Sequence, residues 1–108
     1  MEETTITGQH KQLFADAINN GKIKMWEDPG HRWLQVPMPL INALKKEKEL
    51  KISGYSYKDK ENAYLEEDCD LTAFVNCFPY LNFRDMFSNG QIEQKYQESI
   101  FIRKLNHF

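Results

Sequence analysis

Apolar and polar residues alternate with two different periods along this chain, and each change of period marks an element. From His10 the period is helical: Leu13, Phe14, Ala17 and Ile18 fall at i, i+1, i+4 and i+5, and Asn20-Gly21 supplies a C-terminal stop. The spacing predicts a helix over 9–20. Lys22 to Glu27 then alternates, Ile23 and Met25 against Lys22 and Lys24, with Trp26 breaking the pattern, which fits a strand half buried on one face. Arg32 to Val36 alternates again, Trp33 and Gln35 opposite Leu34 and Val36. Between them lies Asp28-Pro29-Gly30-His31, which is turn chemistry: Asp accepts from downstream amides, Pro presets φ, and Gly supplies a positive φ. Strands 22–27 and 32–36 are therefore expected to form a first hairpin.

Pro37 and Pro39 end that strand and suit the first turn of a helix over 39–48, where Leu40, Ile41 and Leu44 form the stripe and KKEKELK the solvated face. A second hairpin is expected from 52–57 and 63–66 around KDKEN, with Gly54 marking a bulge or a close backbone approach. Asp68 or Asp70 can cap a third helix, LTAFVNCF, in which Leu71, Phe74, Val75 and Phe78 share a face and which Pro79 ends. Tyr80, Leu81, Phe83, Met86 and Phe87 fit either a short helix or an irregular apolar patch, and Ser88-Asn89-Gly90 is a turn. The segment 91–108 is polar until Ile100 and ends IFIRKLNHF, readable as an edge strand, an ordered cover or an exposed binding segment. Residues 1–8 are polar and expected to fray. The expected fold is α+β: a small twisted antiparallel sheet of two hairpins, four or five strands, with about three helices packed on one face, in a single domain over 1–108.

Composition narrows the functions this fold could carry. A chain of 108 residues, 41% hydrophobic, supports one core without disulfides or a structural metal. Cys69 and Cys77 do not make a CxxC pair, and eight residues along a helix separate them by about 12 Å, too far for a disulfide, so free thiols in a reducing cytoplasm are expected. The first 20 residues lack a basic and an apolar region of the secretory kind, and no run approaches the ~18 apolar residues of a membrane span. A net charge of −2 neither attracts nucleic acid globally nor imitates it. Seven Phe, five Tyr and two Trp exceed what a modest core needs, which points to exposed aromatic surface.

The candidate chemistry lies in 52–70, ISGYSYKDKENAYLEEDCD. Glu66, Glu67, Asp68 and Asp70 could start the third helix, face a basic partner, or hold a hard cation, and the partial positive charge of a helix start makes capping the simplest of the three. His31 could act as acid, base or ligand, and lies in a turn beside Asp28; a turn histidine bonded to its own loop is the simpler reading. No HExxH, phosphate-cradling GxxxxGK[ST], GxGxxG or GxSxG is present. Acidic neighbours should raise the Cys69 thiol pKa and leave it unreactive. Tyr55, Tyr57 and Tyr64 across the second hairpin resemble either a core edge or a stacking platform, but the lysines beside them are balanced by acids, which disfavours direct nucleic-acid binding.

WEDPGHRWLQVP at 26–37 together with ISGYSYKDKENAYLEEDCDLTAFV at 52–75 resembles a family of small proteins carried by bacteriophages, prophages and plasmids, whose signature is similar to DPGHxWLxVP, then YSY, then YLEEDCD. The resemblance covers 24–76 and brings no particular activity. It implies a mobile-element origin and action in the cytoplasm of a bacterial host. The family's Ser-x-x-Arg element is matched only loosely by Ser99 to Arg103, and the N-terminal helix is an addition. The shared residues Asp28, Gly30, His31, Trp33, Tyr55, Tyr57, Glu66, Glu67 and Asp70 read as a scaffold signature or as one composite surface.

The expected function is non-enzymatic: an accessory protein, monomer or small homo-oligomer, without cofactor or membrane, that binds a host or phage protein through Tyr55, Tyr57, Tyr64, Glu66, Glu67, Asp68 and Asp70, with inhibition of a bacterial defence complex as its outcome. Two alternatives stand beside it. One is a metal-dependent phosphoester hydrolase using Asp28, His31, Glu66 and Asp70; the other is a single-stranded nucleic-acid binder using Tyr55, Tyr57, Arg103 and Lys104.

Overall fold

A computed structural model describes residues 8–98 and 100–108. The segment 1–7, expected to fray, and Ser99 of the loose Ser-x-x-Arg match lie outside the described residues. Helix α1 (Gln9–Asn19) is followed by strands β1 (Lys24–Glu27) and β2 (Arg32–Pro37), then α2 (Met38–Glu47). Next come β3 (Tyr57–Lys58), β4 (Asn62–Glu66), α3 (Leu71–Asn76), α4 (Phe83–Ser88), β5 (Glu93–Tyr96), a 3-10 turn (Phe101–Lys104) and β6 (Asn106–His107).

The fold is α+β, as the alternating periods predict, and both hairpins form in the expected places. The sheet is larger than four or five strands, because the tail adds one strand to each edge. The order is β5-β1-β2-β4-β3-β6, with β5 parallel to β1 and all other pairs antiparallel, so the sheet is mixed rather than purely antiparallel. A fourth helix forms where Tyr80 to Phe87 allowed a helix or a patch, and Asn82 caps it by accepting from the Asp85 N–H at 3.1 Å.

Two local expectations fail. The strand expected over 52–57 shrinks to Tyr57–Lys58, because Ser53 to Ser56 is drawn into a turn by the Asp70 carboxylate. Gly30 does not take the positive φ expected of it, whereas Gly21 and Gly90, which end α1 and α4, do.

The pleat assigns the two faces of the sheet. Met25, Leu34, Val36, Ala63 and Leu65 point one way and join Phe14, Ala17, Leu40, Ile41, Leu44, Phe74, Phe78 and Phe83 from all four helices in the main core. Trp26, Trp33, Tyr57, Tyr64 and Glu66 point the other way. Among the described residues no α-helix covers that second face. The chain runs from β5 at one edge to β6 at the opposite edge, and Ile100 to Leu105 straps the aromatics as it passes, burying Ile100 and Ile102 against Trp33 and Tyr64.

Candidate functional site

Asp28 begins the construction. Its Oδ1 accepts from the Gly30 and His31 N–H groups at 2.9 and 2.8 Å, which is the turn chemistry anticipated for it. Its Oδ2 takes Arg103 Nε at 2.6 Å, from a residue 75 positions away on the strap. That hydrogen bond, with the two amides, outweighs burial and holds the carboxyl at about 2, below its ordinary 3.8; the Arg103 guanidinium is raised in turn. Arg103 also lies over the Trp33 ring, 5.1 Å from its centroid, and its Nη2 reaches His31 Nδ1 at 2.9 Å. A guanidinium only donates, so His31 Nδ1 accepts and the neutral ring carries its proton on Nε2.

His31 Nε2 faces Glu66 Oε2 at 4.0 Å. The two anticipated site regions, the DPGH turn and the acid run, therefore meet. They meet because β2 and β4 are adjacent with Trp33 opposite Glu66, so the turn before β2 and the end of β4 share one corner of the sheet. Here the chain encloses a cleft of about 360 Å³ lined by His31, Trp33, Tyr55, Tyr57, Glu66, Asp68, Cys69, Arg103 and His107. A larger groove of about 690 Å³, lined by Lys22, Lys24, Lys60 and Glu61 among others, holds no imidazole and shares no residue with this corner.

The acids do not behave as one cluster. Glu66 is 6% exposed, and its Oε1 accepts from the Asp68 N–H at 2.8 Å, closing the turn after β4. Asp70 occupies the position before α3 but makes no side-chain cap there, contrary to the capping reading. Its carboxylate accepts instead from Ser53 N–H at 2.9 Å, Ser53 Oγ at 2.8 Å and the buried Ser56 hydroxyl, and so fixes the loop that presents Tyr55. The α3 first turn contains no acid at all. Glu67 lies beside Arg32 at 3.5 Å on the outer surface, and Asp68 is exposed on the cleft rim.

The tyrosines divide as well. Tyr55 stands 70% exposed at the mouth of the cleft. Tyr57 forms one wall, edge-on to Trp33 and packed at a tilt against His107 with 4.3 Å between centroids. Tyr64 is buried beneath the strap, and desolvation followed by the Asp59 charge pushes its phenol up to about 12. It is a core residue, not a surface one.

The four groups of the metal-ligand alternative do not converge: His31 and Glu66 adjoin, while Asp28 is taken by Arg103 and two amides, and Asp70 by two serines. Among the described residues no group of three or more His, Cys, Asp or Glu has a metal-binding arrangement. Lost hydration, then hydrogen bonding to Glu66, raises the Cys69 thiol, in the direction its acidic neighbours suggested. The nucleic-acid alternative loses Arg103 to Asp28.

Several residues take roles that the sequence did not assign to them, Trp33 having been read only as one of the shared signature residues. Trp33 lies at the centre of the second core with a buried indole Nε1–H that has no hydrogen-bond partner among the described residues. His107 Nδ1 donates to the Gly54 carbonyl at 2.8 Å, because a carbonyl only accepts, so that nitrogen carries the proton. Away from the cleft, His10 and Glu47 form a buried pair at 2.5 Å joining α1 to α2; desolvation raises the Glu47 carboxyl, but the His10 bonds outweigh it and the net shift is downward. The signal for these lay only in long-range pairing. Comparison with protein-family models, curated proteins and solved structures finds no match to this chain. Among the described residues, no helix is long and apolar enough to cross a membrane.

Proposed function

We propose that this chain is a non-enzymatic accessory protein of a mobile genetic element, acting in the cytoplasm of a bacterial host, and that it binds a host or phage protein through the rim of the cleft, blocking a defence complex. One observation carries this reading. Asp28 and Asp70, the carboxylates that chemistry would need free, are consumed by internal hydrogen bonds, while Tyr55, Tyr57, Asp68 and the Glu66 floor are left at one accessible corner. An aromatic centre with a charged rim is what protein-binding surfaces use. Glu67 belongs to the outer part of that rim, and Tyr64 and Asp70 support it from beneath.

The test is affinity capture from bacterial host lysate with the tagged protein and its Tyr55→Ala/Asp68→Asn variant. A stoichiometric partner whose recovery drops at least tenfold with the variant supports the proposal. Recovery of no stoichiometric partner, or equal recovery by both, refutes it. Raised plating of a phage that the host otherwise restricts, on expression of the wild type alone, checks the inhibitory outcome.

A further inference from the structure

We infer that β5 is the contact strand of a symmetric dimer, in which the free edge of one copy pairs antiparallel with the same edge of a second copy of this chain. This edge is separate from the cleft, to whose lining β5 contributes no residue. It stands at the end of the sheet, with β1 on one side and no strand on the other.

The backbone tells which groups are free. Gln97 N–H donates to the Glu27 carbonyl at 2.9 Å, continuing the parallel ladder to β1. Successive residues of a strand turn their amides and carbonyls to opposite sides, so Glu93 and Lys95 bond toward β1 as Gln97 does, and Gln94 and Tyr96 turn theirs outward. Ile92 belongs to the outward set, and its N–H is taken by the Met86 carbonyl at 3.1 Å, which closes the edge at that end. Among the described residues nothing meets the N–H or C=O of Gln94 or Tyr96. The opposite edge of the sheet offers no equivalent, because β6 is two residues long.

Charge chooses the occupant and the register. Glu93 and Lys95 lie two residues apart on one side of the strand, 3.5 Å from each other, with Lys95 over the Trp26 ring. An edge carrying both charges resists an arbitrary apolar strand. A second copy turned about a two-fold axis through Gln94 supplies the complement: Glu93 stands opposite Lys95 of the second copy, and Lys95 opposite its Glu93. Each Gln94 N–H then donates to the other Gln94 carbonyl, and each Tyr96 N–H to the Ile92 carbonyl across the axis. Neighbouring registers fail. An axis at Lys95 sets lysine against lysine, one at Glu93 sets glutamate against glutamate, and a two-fold parallel pairing sets both like pairs side by side. An axis between two residues puts outward groups opposite inward ones. Tyr96, whose ring is 56% exposed in the single chain, lies across from Ile92 of the second copy and supplies the apolar part of the contact.

A strand of four residues makes a short contact, so a dissociation constant on the order of 100 µM is expected. Sedimentation velocity of the full chain from about 10 µM to about 1 mM should show the mean sedimentation coefficient rising from monomer toward dimer. Lys95→Glu and Glu93→Lys, both at exposed positions, should each weaken self-association about tenfold or more. Mixed in equal amounts the two variants are complementary, two acids against two bases, and should associate within about threefold of the wild type. Gln94→Pro removes an N–H that the single chain does not use, and should weaken the dimer about tenfold with an unchanged circular dichroism spectrum. The cleft variant Tyr55→Ala/Asp68→Asn should dimerise as the wild type does. A chain that stays monomeric to about 1 mM, a dimer indifferent to both single charge reversals, failure of the mixed variants to associate, or loss of the dimer in the cleft variant would each overturn the assignment.

Discussion

The two faces of the sheet are closed by different means. On one, four helices bury Phe14, Leu40, Leu44, Phe74 and Phe78 against Leu34, Val36 and Leu65, and the packing is shared among several elements, with the buried His10–Glu47 pair joining α1 to α2. On the other, a single strap seals Trp33 and Tyr64 with Ile100 and Ile102, and one ion pair, Asp28 to Arg103, fixes where the strap lies. Redundant apolar packing holds this face without depending on any single segment. A face sealed by one segment must carry charges to hold that segment in register, and the same charges shape the cleft beside it.

The comparison can be broken from either side. Phe74→Ala, at a fully buried ring touching Phe14, Phe78 and Phe83, should cost about 3–5 kcal/mol in chemical denaturation, the largest loss in this set. Ile102→Ala on the strap should cost about 2–4 kcal/mol and should shift the Tyr57 and Trp33 resonances while leaving the α1 and α2 amides in place. If the α1 and α2 amides shift equally, the two faces are not energetically distinct. Asp28→Asn should cost roughly 1–2 kcal/mol at neutral pH, the lower end reflecting that Arg103 is half exposed.

The pH dependence sharpens the same contrast. The Asp28 carboxyl is at about 2 in the fold and ordinarily near 3.8, so its contribution is complete above the ordinary value and is lost as pH falls toward and through 2. Denaturation midpoints measured between pH 5 and pH 2 should therefore fall less steeply for Asp28→Asn than for the wild type. Some slope should remain, because the Glu47 carboxyl is also lowered by His10. Tyr55→Ala should change stability by less than about 0.5 kcal/mol, since its ring is exposed, and a larger change would mean that the ring supports the loop rather than presenting a surface.

What could be read in the sequence divides along the same line. The helical face was legible because its residues recur with local periods: the Leu13 to Ile18 stripe, Leu40 to Leu44 and Phe74 to Phe78 needed no knowledge of distant partners. The DPGH turn and the YLEED strand were legible from turn chemistry and alternation. The strap was not. Glu93 to Tyr96 has no alternating burial because it is an exposed edge, and its parallel docking on β1 follows from tertiary placement rather than composition. Ser56 looks like an ordinary polar strand residue and is wholly buried, because Asp70, fourteen positions on, needs its hydroxyl. For the same reason the acid run misled: its members sit side by side in sequence, yet Asp70 turns inward to serines, Glu66 to the turn amide of Asp68, and Glu67 outward to Arg32.

The strap also has a consequence in time. Its anchoring pair spans 75 positions, so closing it requires one of the longest loops the chain can form, and little is gained before the sheet beneath is in place. Hairpin and helix contacts are local, so they are expected to form first, with the strap docking after the rate-limiting step. Weakening it at Ile102 or Arg103 should therefore leave the folding rate nearly unchanged and accelerate unfolding. With that outcome the second face is the latch that sets how long the native state lasts, and the first sets how quickly it is reached.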